Sequence, residues 1–324
     1  MSGTQNTSTE LASDAQALIE ALVQAGGGSI TGIILFGSQL VNASSNPYSA
    51  WDFVVIVDDY PAFHEALVRT GHHVRSPGTL TFLAGILAPS ITAFSPTSEG
   101  RPVAKCAIVD RAGFRRALAP RSSDHFLKGR MVQQVRVAWT RDPQIATELE
   151  SRLAAARLDV LDWAGPRLTL PMTPESVPLE MLQLSYGGEV RPEAGDRVLE
   201  VVAAQRIWLT QAYTEVLRQA AENGTLVEED GGYRFRTPIS AGHRLRIRLY
   251  FIRSKIRATT RWGKHILTFN DWLTYIQRKA ERRTGLTLEV TAAERRWPLI
   301  LLWPKVFGVL RARNASNQLP GEPK

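Results

Sequence analysis

Two apolar runs separated by a polar interval constrain this chain more than any other feature. They lie in "ILFGSQLVNASSNPYSAWDFVVIVDDY", residues 33–59. The first run ends in Gly37-Ser38, and the second, Phe53 to Val57, opens on Asp52. Both read as buried strands bounded by turn residues. A carboxylate at the head of a buried strand costs several kcal/mol if nothing compensates it, so Asp52 requires a cation, a hydrogen-bonding cage or a water-filled cleft.

The rest of the chain supplies an α+β frame for that pair. "SDAQALIEALVQAGGG" reads as a helix with Ser13 as its cap, and "YPAFHEALVRTGHH" as a helix with Pro61 near its start. "LTFLAGIL" and "VAKCAIVD" read as further strands, and "DRAGFRRAL" as a helix. From Asp142 the apolar period becomes helical, with Ile145, Leu149 and Leu153 on one face. The expected organisation is a first α+β domain over 13–140, a mainly helical domain over 141–240 that completes a cleft, and a basic region over 241–324.

Composition narrows the partners. The chain has 324 residues, 44% of them apolar, which suits a protein with sizeable cores. A single cysteine, Cys106, excludes an intrachain disulfide framework and fits a reducing compartment. No basic-then-apolar start and no run of about 18 uncharged apolar residues is present, so neither a signal peptide nor a spanning helix is expected. Net charge is +8, yet 241–315 holds 17 basic and 4 acidic residues, leaving 22 and 27 for the remainder. That basic quarter points to a polyanion, either nucleic acid or anionic lipid.

A Gly-Ser turn lets the backbone approach a phosphate, and a carboxylate on the adjacent strand can hold the Mg²⁺ that bridges the same phosphates. Polymerase-β-like nucleotidyltransferases use this pairing. They usually carry a second acid two positions on, which here is Val54, so another acid must come from Asp58, Asp59, Asp110 or Glu189. Asp58 and Asp59, at the far end of the strand, suit loop caps. The bland alternative for Gly37, Ser38 and Asp52 is an ordinary turn with a capped surface aspartate. The six histidines are not spaced as metal ligands, and no serine-histidine or cysteine-histidine nucleophile is legible.

Five segments in order, "FGSQLV", "AWDFVVIVDDYPAFHEAL", "FSPTSEGRPVAKCAIVD", "DHFLKGRMVQQVRV" and "LEMLQLSYGGEVRPEAGDRVLEVV", give the chain a family resemblance over roughly residues 30 to 215. It resembles the mitochondrial translocator assembly and maintenance family of phosphatidate cytidylyltransferases and its bacterial homologues. That family's strand also lacks the second carboxylate, and Glu189 stands where its signature usually has Asp. The resemblance implies a polymerase-β-like nucleotidyltransferase domain that forms CDP-diacylglycerol from CTP and phosphatidic acid. It implies that Gly37 and Ser38 hold the triphosphate, that Asp52 and Glu189 ligate Mg²⁺, and that Lys105 neutralises a phosphate. Arg130 would clamp an anionic group, with Tyr186, Glu189 and Arg191 lining the opposite wall. Each has a plainer reading as a surface residue: Lys105 on a strand edge, Arg130 on a helix, Glu189 in a loop.

In "AERRWPLILLWPKVFGVLRARN", from Ala293, Trp297 and Trp303 border a leucine-rich run with arginines at both ends. This suits a segment in the headgroup region of a membrane, or alternatively a core helix docked on the body. The expected partners are therefore CTP, phosphatidic acid and an anionic membrane surface, with no nucleic acid. The expected location is cytoplasmic, peripheral on the inner face of the membrane, with oligomeric state left open. A soluble nucleotidyltransferase acting on a small hydroxyl compound or RNA is the alternative.

Overall fold

The computed structural model describes residues 11–41, 50–73, 75–96, 102–187 and 194–268. Its centre is a mixed five-stranded sheet of order β3-β4-β2-β1-β5, built from β1 (Ile30–Phe36), β2 (Trp51–Val57), β3 (Ser90–Phe94), β4 (Ala104–Asp110) and β5 (Val135–Thr140). β2 runs antiparallel to β1 and parallel to β4, and β3 and β5 are antiparallel edges. In β2 every residue except Asp52 is at most 6% exposed, because helices cover both faces. That is why the strand reads as an unbroken apolar run rather than an alternating one.

One face packs on α1 (Ser13–Ala25) and α3 (Tyr60–Arg69), whose Leu18, Ile19, Leu22 and Phe63 meet Ile33, Phe53 and Val55. The short α2 (Ser38–Val41) follows β1 directly. The other face packs on α5 (Arg111–Leu118) and α7 (Pro143–Leu158), and α6 (Lys128–Met131) and α8 (Val160–Trp163) join the same cluster. Beyond them lie α9 (Ser176–Gly187), α10 (Ala194–Ala204) and α11 (Arg206–Glu222). A single buried cluster runs from Val54 and Ile56 of the sheet through Leu149 and Leu153 to Met181, Leu182, Tyr213 and Leu217. A small hairpin, β6 (Leu226–Glu229) with β7 (Gly232–Phe235), precedes the long α12 (Ala241–Thr268).

Two local expectations are corrected. "LTFLAGIL" is not a strand but most of α4 (Pro77–Gly85) and its exit. Ser76 accepts the Thr79 N–H at 3.3 Å and Pro77 opens the first turn, so a helix start signal prevails, with Leu80 and Ala84 as the buried pair four residues apart. The strand lies just beyond it, at the β-branched "SITAF" of β3. Ser13 does not cap α1: the cap position is Ala12, which makes no side-chain cap. Among the described residues no helix is long and apolar enough to cross a membrane. The segment from Ala293, with Trp297 and Trp303, lies outside the described residues.

Candidate active site

β1 ends where β2 begins, and the register places Phe36 opposite Asp52. On its other side Asp52 is level with Lys105, which in turn is level with Ala93 of β3. Neighbouring strands lie about 4.8 Å apart, so Gly37, Asp52 and Lys105, from three consecutive strands of the sheet, share one end of it. Asp52 is on the face of Val54 and Ile56, the face covered by the later helices.

Gly37 is shaped around the carboxylate. Its φ is +87°, a conformation natural to glycine. A Cβ there would stand 2.7 Å from Asp52 Oδ2 and 3.2 Å from Asp52 Cβ. Both constraints demand glycine, and Ser38 follows as the first residue of the α2 turn. The charge of Asp52 also reaches through the strand: burial foremost, and then Asp52, pushes the Cys106 thiol far above its ordinary range. Cys106 is thus an inert core residue on the opposite face.

The other acids of β2 and β4 are elsewhere. Asp58 pairs with Arg141 at 2.5 Å, Asp59 accepts the Ala62 N–H at 2.9 Å to cap α3, and Asp110 accepts the Gly113 N–H at 3.0 Å to cap α5. They lie about 15–20 Å along the strands from Asp52, which removes Asp58, Asp59 and Asp110 as partners in one metal site. Val54, the position of a second acid in related patterns, is fully buried in the core. Among the described residues no group of three or more His, Cys, Asp or Glu is placed to hold a metal ion. Asp52 and Ser38 carry hard-oxygen donors of the kind that suit Mg²⁺, which takes one or two protein carboxylates and leaves its other positions to phosphate and water. Glu189 and Arg191 lie outside the described residues.

The chain carries Arg130 toward the same end, and Tyr186 is held through its neighbour Ser185 against the turn at Gly129. α6 leads through Gln134 into β5, whose Val135 pairs with Phe36, the residue before Gly37. Ser185 and Tyr186 are in the last turn of α9, and a Cβ on Gly129 would come within 3.2 Å of Ser185 Cβ and 2.8 Å of the His125 ring. Glycine precedes Arg130 because α9 passes this closely. The Arg130 guanidinium donates to Phe126 O at 2.6 Å and lies 3.8 Å over the Phe126 ring.

The brace behind this pair was not legible in the sequence. His125 Nε2 bonds Ser185 Oγ at 2.9 Å, its Nδ1 bonds Tyr250 Oη at 3.0 Å, and its backbone N–H donates to Ser254 Oγ at 2.9 Å. Asp124 accepts from Arg257 at 3.1 Å and from the buried Arg261 at 2.5 Å. Arg261 also donates to Leu87 O and Ala88 O and lies 4.7 Å over the Phe126 ring. These contacts bind α6, α9 and α12 into one unit. The local sequence, "APRSSDHFLKGRMVQQ", is polar and charged on both sides of His125 and carries no pattern that marks it.

No protein-family model matches the chain, and no curated protein matches it.

Proposed function

We propose that this chain is a nucleotidyltransferase that transfers CMP from CTP to phosphatidic acid, releasing pyrophosphate. The observation that carries the reading is the closure of Gly37 onto Asp52, with Lys105 level with it on the next strand. Both reactants are anions, so catalysis is mainly positioning and charge neutralisation, and no strong base is needed. A phosphate oxygen of the lipid attacks the α-phosphorus of CTP in line, and the bond to the β-phosphate oxygen breaks. Bound Mg²⁺ would supply charge neutralisation at the triphosphate, with Asp52 as its described ligand. Ser38 and the Gly37 backbone hold phosphate oxygens, Lys105 compensates a phosphate as a point charge, and Arg130 and Tyr186 contribute to nucleotide binding.

The test is CDP-diacylglycerol and pyrophosphate formation by the purified chain from CTP and dispersed phosphatidic acid with Mg²⁺. Equal turnover of ATP, or transfer to a small hydroxyl acceptor instead of the lipid, would replace this reading with that of a soluble nucleotidyltransferase. The cytosine preference rests on the family resemblance, as no base-reading side chain is assigned.

A further inference from the structure

α12 has two faces that differ in kind. Ile247, Ser254, Arg261 and Lys264 are buried against the body, 1–8% exposed. At 100° per residue, Leu245, Leu249, Ile252 and Ile256 fall on the opposite side within an arc of about 60°. They are 57%, 55%, 49% and 61% exposed, so four large aliphatic side chains stand in one row on the outside of the helix. Single exposed apolar residues are ordinary, but a continuous row needs an occupant. Beside the C-terminal half of the helix, Lys264 donates to Ile86 O at 2.9 Å, which brings in Ile86, 45% exposed, and after it Phe82, 68% exposed.

We infer that this outer row is a docking surface for an anionic lipid bilayer, with α12 lying in the headgroup plane. Charge decides the occupant. Arg244, Arg248 and Lys255 are exposed on one flank of the row and Arg253 on the other, while no acidic residue occurs from 241 to 268. A second copy of this chain seated on the row would set these cations against their own kind. A nucleic acid would place its phosphates over four aliphatic side chains with no aromatic ring among them to stack on. An anionic bilayer satisfies both features, since the row inserts and the flanks meet headgroups. The inference shares its lipid partner with the proposed function, but it rests on the outer row of α12 and its flanking cations, none of which belongs to the candidate active site.

The experiment is co-sedimentation of the full chain with vesicles of phosphatidylcholine, with and without phosphatidylglycerol, which is not the proposed substrate. The wild type should bind the mixed vesicles and release in high salt. Leu249→Gln/Ile252→Gln should weaken that binding about tenfold or more, given the apolar area two side chains insert. Its melting temperature should stay at the wild-type value, because both side chains are already exposed. Arg248→Gln/Arg253→Gln should remove most of the salt-sensitive part. Failure of the wild type to bind, or undiminished binding by the Leu249/Ile252 variant, would overturn the inference. So would a large loss of melting temperature, which would show the row covered by another part of the chain, or conversion of a dimer to a monomer, which would make the occupant a second copy. Vesicle binding without CDP-diacylglycerol formation sinks the catalytic reading and leaves this one standing, and the reverse result separates them equally.

Discussion

The two ends of β2 both carry carboxylates, and the structure uses them differently. At the far end each acid has a structural duty: Asp58 pairs with Arg141, and Asp59 and Asp110 cap helices. At the near end a glycine with φ +87° closes over Asp52, and Lys105 stands level with it. Two helix caps and an exposed ion pair are routine surface arrangements worth about 1 kcal/mol or less each. A backbone held in the left-handed region against a carboxylate is a more demanding arrangement, and it sits where two strands of opposite direction meet. The contrast teaches that acids at strand ends are sorted by what folds onto them, not by their presence.

Breaking the near end should have the largest consequence. Asp52→Asn removes a charge and almost no volume, so CDP-diacylglycerol formation should fall by about 100-fold or more while the melting temperature holds. Activity above about a tenth of wild type would end the metal-ligand role. Asp110→Asn, measured beside it, should leave turnover unchanged.

The far end should govern stability in acid. His64, on the helix that Asp59 caps, is buried, and burial foremost, then His73 and Lys264, lowers its pKa to about 4 from an ordinary 6.5. Between those values the unfolded chain binds the extra proton and the fold does not, so stability drops as pH falls from about 6.5 toward 4, by up to about 3 kcal/mol. Urea midpoints across that range would show the slope, and His64→Leu should flatten it. An unchanged slope in the variant would place the acid sensitivity elsewhere.

Gly37→Ala tests whether the near end is shaped around its carboxylate. The added Cβ meets both an unfavourable φ and Asp52 Oδ2 at 2.7 Å. A loss of about 2 kcal/mol is expected, together with reduced turnover because the carboxylate must move. Stability lost with full turnover retained would separate the turn from the chemistry. The smallest effect belongs to the caps: Asp59→Ala and Asp110→Ala should each cost about 1 kcal/mol of unfolding free energy and leave turnover intact.

Several elements were readable because their signals are local. A long apolar run marks β2 whatever packs on it, and a carboxylate at its head demands compensation wherever the strand lies. Gly37-Ser38 marks the turn, and Asp59-Tyr60-Pro61 marks the start of α3. Lys105 stands out in the same way, as one cation inside an apolar strand. The α4 error shows the limit, since a short apolar run suits strand or helix until Ser76 and Pro77 are weighed.

The chain by itself thus determined the buried strands, the turn and the acid that needs a partner, because these follow from desolvation and backbone sterics within a few residues. Only the tertiary structure decided the rest. The parallel register alone levels Lys105 with Asp52, and the fold alone separates Asp110 from them. The approach of α9 makes Gly129 obligatory, and contacts between residues more than a hundred positions apart join His125 to Tyr250 and Asp124 to Arg261. Likewise, only the fold shows that α12 buries Ser254, Arg261 and Lys264 and leaves Leu245, Leu249, Ile252 and Ile256 outside. Pairings of that range carry no local pattern, because their free energy arises only when distant segments are brought together.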